Sequence, residues 1–129
     1  MSVSDEKERQ EKFPWNRSEF HSEYNAYLAR YKVESCLKYI KGSSLLDIAC
    51  GDGLMTNMFS SRFENIVGVD ANGAHLEKAR QRLPSAKFYE SLIEDLSNDE
   101  KFDTILMLDL LEHVKDPVGV LKKAASFLR

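Results

Sequence analysis

The sequence is poor in the residues that staple, break or anchor a chain. It holds two cysteines, Cys36 and Cys50, without ligand-like spacing. That excludes a disulfide scaffold and a structural zinc site and points to a reducing compartment. Three prolines and six glycines in 129 residues exclude collagen-like and low-complexity chains. No apolar run exceeds a few residues, and the start MSVSDEKERQEK is polar throughout. Neither a signal peptide nor a transmembrane helix is therefore expected. Basic excess is lacking as well: a net charge of −3 and a pI near 5.6 give no footprint for nucleic acid or an anionic membrane. What is present, 43% hydrophobic and 30% charged residues, suits one ordinary cytoplasmic domain. A chain of this length buries about two-thirds of its unfolded surface, enough for a core without staples.

Residues 1–12 mix acids, bases and serines without apolar periodicity and are expected to form a flexible charged tail, with the folded domain spanning 13–129. Phe20, Tyr24, Tyr27, Leu28 and Tyr31 recur at spacings of three and four, one face of a helix, on which the three tyrosines are expected to pack. Val33, Leu37 and Ile40 continue that face to Lys41, where Gly42 is expected to stop it. Short apolar runs then alternate with helical patterns. SLLDIA (44–49), NIVGVD (65–70), 86–89 and DTILML (103–108) read as strands. Leu54, Met55, Met58, Phe59 and Phe63 mark one helix, and Leu76, Ala79 and Leu83 a second that ends at Pro84. A last helix opens with Asp116 as N-cap and Pro117 in its first turn, with Val118, Leu121, Ala124, Ala125 and Leu128 as its apolar side. This alternation predicts an α/β domain, a mostly parallel sheet with helices on both faces. Ligands of such sheets bind at the carboxyl ends of the strands, here the turns after Ala49, Asp70, Tyr89 and Leu108.

The strongest local signal is LLDIACGDG, Leu45 to Gly53, between a strand and a helix. Gly51 and Gly53 permit a sharp turn and close approach of a ligand to the main chain. Asp70 ends the next strand, where a carboxylate can accept hydrogen bonds from both hydroxyls of a ribose. Nicotinamide dinucleotides and S-adenosylmethionine both use this arrangement. Thr56 stands where a G-x-G-x-x-G fingerprint needs its third glycine. Asp47 and Asp52 flank the turn, and no Lys or Arg occurs between Ser43 and Ser61. A pyrophosphate is repelled by such a turn, whereas a sulfonium bearing an ammonium group is not.

These residues carry a resemblance. LLDIACGDG is similar to the first glycine-rich motif of the class I S-adenosylmethionine-dependent methyltransferases, VGVDAN to their second acidic strand end, and FDTILMLDLLEHVKDPVGVLKKA to their fourth strand and following helix. The resemblance implies a Rossmann-like sheet of strand order 3-2-1-4 whose C-terminal strands are missing. It implies S-adenosylmethionine as cofactor, with S-adenosylhomocysteine as product. Asp47, Ala49, Gly51 and Gly53 would surround the methionine part, Asp70 the ribose, and Ala71 the adenine. ESLIEDL resembles the adenine-binding segment, but Leu92 replaces an acid common there. Adenine contact would then fall to Leu92, Ile93 and Glu94. Met107, Leu108 and Asp109 would floor the pocket.

Asp109, Glu112 and His113 resemble an acid-x-x-Glu-His pattern that binds a divalent metal in some relatives, and their chemistry would suit one. No complete ligand set is visible, so no metal is expected. His113 is instead the candidate base for an oxygen acceptor; a nitrogen acceptor that arrives deprotonated needs none. His21 and His75 are expected on solvated helix surfaces, Cys50 as a small apolar filler, and Tyr24 or Trp15 as possible ligand contacts from an N-terminal helix. The expected partner is a small-molecule acceptor, with no membrane. A second copy of the chain could pair with the exposed edge of the fourth strand. Two alternatives stand beside methyl transfer: an NAD-dependent oxidoreductase domain, and a non-catalytic nucleoside-binding or interaction module of methyltransferase ancestry.

Overall fold

The computed structural model describes residues 23–97 and 99–129, so the expected tail, Trp15, Phe20 and His21 lie outside the described residues. The chain divides into two units, residues 1–39 and 40–129. In the first, helix α1 (Glu23–Leu37) buries Ala26, Ala29, Arg30 and Val33. The tyrosines expected to pack are exposed instead, Tyr24 at 68%, Tyr27 at 51% and Tyr31 at 61%. Small residues at positions 26, 29 and 33 make a second line at helical spacing, and this flatter line is the buried one. The tyrosine hydroxyls stay where water can satisfy them. The helix also stops at Leu37, short of the expected Lys41.

In the second unit four parallel strands form one sheet: β1 (Ser44–Ile48), β2 (Asn65–Asp70), β3 (Lys87–Glu90) and β4 (Thr104–Leu106). Their order is β3-β2-β1-β4, as the sequence implied. All five residues of β1 are buried, and its register sets Leu46 against Val67 and Ile48 against Val69 on β2. Alternation sends Leu46, Ile48, Val67 and Val69 to one face. There they join Ile93, Leu96, Phe102, Val120, Ala124 and Phe127 in one apolar cluster. The opposite face carries Leu45, Asp47 and Gly68. Cys50, Leu76, Ala79, Leu83 and Phe88 form a second cluster there. Gly68 has no room for a side chain, since a Cβ would come within 2.6 Å of the Phe88 ring and 2.9 Å of Cys50 Sγ.

Three helices cover the sheet: α2 (Leu54–Phe59), α3 (Gly73–Arg82) and α4 (Pro117–Ala125). Asn72 caps α3 by accepting from the amides of Ala74 and His75, and Asp116 caps α4 by accepting from Gly119. The helix expected to reach Phe63 ends at Phe59 and runs into a 3-10 turn, Ser60–Arg62. The last helix corrects its expected face. Val120, Ala124 and Phe127 are buried, whereas Val118, Leu121 and Leu128 are 59%, 43% and 46% exposed. Both lines have helical spacing, and only the former meets the core residues of β1 and β2. The fourth strand is shorter than DTILML, because the chain turns at Leu108 and Asp109, the latter at φ 56°. Among the described residues β4 is bonded on one side only, to β1. No described helix is long and apolar enough to cross a membrane.

Candidate functional site

The carboxyl ends of β1, β2 and β3 meet at a turn and a cleft. After β1 the backbone adopts positive φ at Ala49 (60°), Gly51 (57°) and Gly53 (77°). A non-glycine residue enters this region only at a cost of roughly 1 kcal/mol, so Ala49 is held there by its surroundings. The Cys50 amide donates to the Val69 carbonyl at 3.0 Å, and the Gly53 amide to the Cys50 carbonyl at 3.1 Å. The two glycines serve different ends. A Cβ on Gly53 would sit 3.1 Å from that of Ala79, so Gly53 lets α3 approach. A Cβ on Gly51 would meet nothing within 4 Å, so Gly51 keeps an open space beside the turn.

Asp70, the last residue of β2, ties these pieces together. Its Oδ2 accepts from the Gly51 amide at 2.9 Å, and its Oδ1 from the Asn72 amide at 2.8 Å. Its carbonyl accepts from the Ser91 amide at 3.0 Å, which fixes the exit of β3. A carboxylate offers about four acceptor positions, so capacity remains after two amides.

Beside Asp70 opens a cleft of about 210 Å³. Of the residues singled out in the sequence, Ala49, Asp70, Ala71, Leu92, Ile93 and Glu94 line it. Ile48, Val69, Ser91, Leu110 and Val114 line it too, and sequence reasoning did not name them. Leu110 and Val114 flank the 3-10 turn Leu111–His113, inside the stretch FDTILMLDLLEHVKDPVGVLKKA that carried the resemblance. Small-molecule sites usually measure about 300–1,000 Å³. The cleft is smaller than that, and the open space beside Gly51 adjoins the same turn.

Asp47, Gly51, Gly53 and Met107 are not in the cleft lining. Met107 packs against the apolar cluster under α4. Asp47 is buried at 3% exposure, and Thr56 Oγ1 donates to its Oδ2 at 2.6 Å. Burial drives its carboxyl up to about 7, with the Thr56 bond opposing and the Asp70 charge adding to the rise. Burial first, then the charges of Asp47 and Asp70, raises the Cys50 thiol, which makes it a poor nucleophile. Asp52 is not an isolated negative charge either: Arg82 Nη2 lies 3.7 Å from its Oδ2, and Arg82 Nε donates to its carbonyl at 3.2 Å. The acidity read from the local sequence is thus reduced by a base that arrives from α3.

His113 stands outside the cleft on an exposed side chain, its Nε2 3.8 Å from Glu112 Oε1. His75 is exposed on α3. Among the described residues no three His, Cys, Asp or Glu side chains converge as metal ligands, so Asp109, Glu112 and His113 do not form a cage.

The comparisons with known proteins agree with this architecture. A family described as "Methyltransferase domain" matches residues 46–129. Among curated proteins, the chain is similar to the ubiquinone biosynthesis O-methyltransferase of Pelagibacter ubique, 31% identical over 103 residues that make up 77% of this chain and 43% of that protein. The protein of the same name from Alkalilimnicola ehrlichii is 29% identical over 75% of this chain and 42% of its own length. The chain thus spans roughly two-fifths of these relatives, 42% and 43%. Among solved structures, Streptomyces venezuelae DesVI matches with a TM-score of 0.62 and 28% identity, covering 81% of this chain and 44% of that one. The N-methyltransferase NodS of Bradyrhizobium japonicum, solved with S-adenosylhomocysteine, matches with a TM-score of 0.75 and 17% identity over 84% of this chain and 59% of its own. Because the methyltransferase-domain match spans residues 46–129, well over half of the chain and including the glycine turn and Asp70, the chain belongs to the class I S-adenosylmethionine-dependent methyltransferase family.

Proposed function

We propose that this chain forms the cofactor-binding portion of an S-adenosylmethionine-dependent methyltransferase acting on a small-molecule oxygen or nitrogen acceptor. The observation that carries this reading is Asp70, anchored by the Gly51 and Asn72 amides at the mouth of an apolar cleft. The residues present suit the cofactor. Two amides leave acceptor positions on Asp70 for vicinal hydroxyls, and the vacant Cβ position of Gly51 leaves room for a chain running along the turn. Ala71, Leu92 and Ile93 offer apolar walls to a planar base, and Glu94 lines the same cleft.

When bound, the cofactor supplies a methyl group on a sulfonium whose departure leaves a neutral thioether. The protein's part is alignment and exclusion of water. Asp70 and the glycine turn fix one end of the ligand, while Leu110 and Val114 close the apolar side. His113 ends the 3-10 turn just after Leu110, exposed and outside the cleft with Glu112 beside it, and in this reading it takes the proton of an oxygen acceptor that approaches from the solvent side. The names of the curated relatives favour oxygen.

The test is calorimetric titration with S-adenosylmethionine, S-adenosylhomocysteine and NAD on the wild type and Asp70→Asn, followed by turnover against phenolic and amine acceptors. The expected result is binding of the sulfur nucleosides at about micromolar Kd, weakened about a hundred-fold in Asp70→Asn, since hydrogen bonds to a charged acceptor contribute roughly 1.5–3 kcal/mol each. NAD binding in their place, or no binding, overturns the proposal. Binding without turnover on any acceptor reduces it to a nucleoside-binding module.

A further inference from the structure

Arg82, at the last position of α3, reaches back across the fold to the glycine turn. Its Nε donates to the Asp52 carbonyl at 3.2 Å, and its Nη2 lies 3.7 Å from Asp52 Oδ2. The other carboxylate oxygen, Oδ1, accepts from the Leu54 amide at 3.1 Å. One guanidinium therefore engages both the backbone and the side chain of the residue between the two glycines. The arrangement is a fork, which a point charge cannot reproduce. The N-cap of helix α2, Gly53, has no side chain, so Asp52 is the side chain that accepts from the first turn of that helix.

The turn needs such support. Positive φ at Ala49, Gly51 and Gly53 describes a backbone with many other conformations open to it, the glycines above all. Asp70 holds the turn from one side through the Gly51 amide. Arg82 holds it from the other. The turn that they hold includes Gly51, beside which a Cβ would meet nothing within 4 Å.

We propose that Arg82 is a positioning residue of the cofactor site, clamping Asp52 so that the turn from Gly51 to Gly53 is preformed for the amino-acid arm of a sulfur nucleoside. This rests on the reading that such a nucleoside binds along the turn. Arg82 acts through Asp52, and it is absent from the lining of the cleft beside Asp70. The clamp also offsets the Asp52 charge, so the turn can receive a ligand arm that carries a carboxylate as well as an ammonium group.

Two ligands separate a clamp from a generally weakened fold. S-adenosylhomocysteine carries the amino-acid arm; 5′-methylthioadenosine has the same nucleoside and sulfur without it. In Arg82→Ala, titration of the full chain is expected to show S-adenosylhomocysteine weakened on the order of ten-fold, the scale of one charge-assisted hydrogen bond. Methylthioadenosine is expected to stay within about two-fold of wild type, because its contacts lie in the cleft. Arg82→Lys, which can meet one Asp52 group but not both, should fall between. Equal loss of both ligands, or loss of neither, overturns the proposal.

A ligand-free measurement keeps the clamp testable even if the chain binds no nucleoside. Amide hydrogen exchange at Gly53 and Leu54 should quicken about ten-fold in Arg82→Ala while the amides of β1 keep their protection. Unchanged exchange at the turn overturns the clamp. Failure of wild type to bind either nucleoside, with exchange quickened as expected, overturns the functional reading and leaves the clamp standing.

Discussion

The two ends of the same sheet are built on opposite plans, although both turn on an aspartate that accepts backbone amides. At the amino end, Asp103 Oδ2 accepts from the amides of Ser43 and Ser44, while Ser44 Oγ accepts from the Asp103 amide. Thr104 Oγ1 accepts from the Lys41 amide at 2.8 Å and donates to the Lys41 carbonyl at 2.7 Å. Gly42 runs so close that a Cβ there would collide with the Asp103 carboxyl. Each of these groups finds its partner within the chain. At the carboxyl end Asp70 also binds two amides, yet the space beside it stays open and the backbone around it is left-handed. Where β1 and β4 begin, the chain is closed on its own polar groups. Beside Asp70 the turn is held by few contacts, and a left-handed backbone bordering open space belongs to a site rather than to packing.

The comparison can be broken at three levels. The largest effect should come from Leu46→Ala, in the middle of β1 and fully buried. Loss of a buried leucine costs about 2–5 kcal/mol, and urea denaturation should show it as one cooperative shift, because Leu46 underlies both ends. Two separate transitions would mean that the ends are independent units. Next is Thr104→Val, which keeps the shape and removes both bonds to Lys41. It should lower stability by about 1–3 kcal/mol and leave S-adenosylhomocysteine affinity within about two-fold. A larger loss of affinity would show that the closed end shapes the open one.

The smallest effect is in pH dependence, and the two ends should respond with opposite sign. Hydrogen bonding from the Ser43 amide, ahead of the Ser44 bonds and the Arg129 charge, holds the Asp103 carboxyl below the usual range. Its stabilisation is present above the unfolded pKa, near 4, and is lost as pH falls through the lowered folded value. Asp47 is raised to about 7. Between about pH 4 and 7 its folded form binds a proton that the unfolded chain has released, so stability falls as pH rises across that window. Thermal melts from pH 3 to pH 8 should show both slopes. Asp47→Asn should flatten the upper one and spare the lower. An unchanged upper slope would remove Asp47 as its source.

Much of the sheet was legible in the sequence. NIVGVD is β2 residue for residue, SLLDIA loses only its last residue, and the third strand is displaced by one. These runs are short, β-branched or apolar, and bounded by turn residues, so local physics decides them. Which helix face is buried was not legible. Of the expected face of α4 and the residues just after it, Ala124 is buried as expected, whereas Val118, Leu121 and Leu128 are exposed and Val120 and Phe127 are buried instead, a choice that only the position of the sheet makes. In α1 the tyrosine line and the line Ala26, Ala29, Val33 share a period, and the sequence did not tell which is buried. At the site, Asp70 and the glycines announced themselves through a compact pattern. Arg82 did not, because its partner Asp52 lies 30 residues away and no spacing rule joins them.

The strand order also has a consequence in time. Strands β1, β2 and β3 are neighbours in both chain and sheet, whereas β4 must come from about sixty residues downstream to pair with β1, a longer loop to close. Until it arrives during synthesis or refolding, one edge of SLLDI is bare, and an apolar edge recruits strands from other molecules. Asp47 is the fourth of the five residues of that strand. A charge there penalises a foreign strand that would bury it without Thr56. The aspartate that the finished fold conceals is thereby expected to disfavour foreign pairing until β4 arrives.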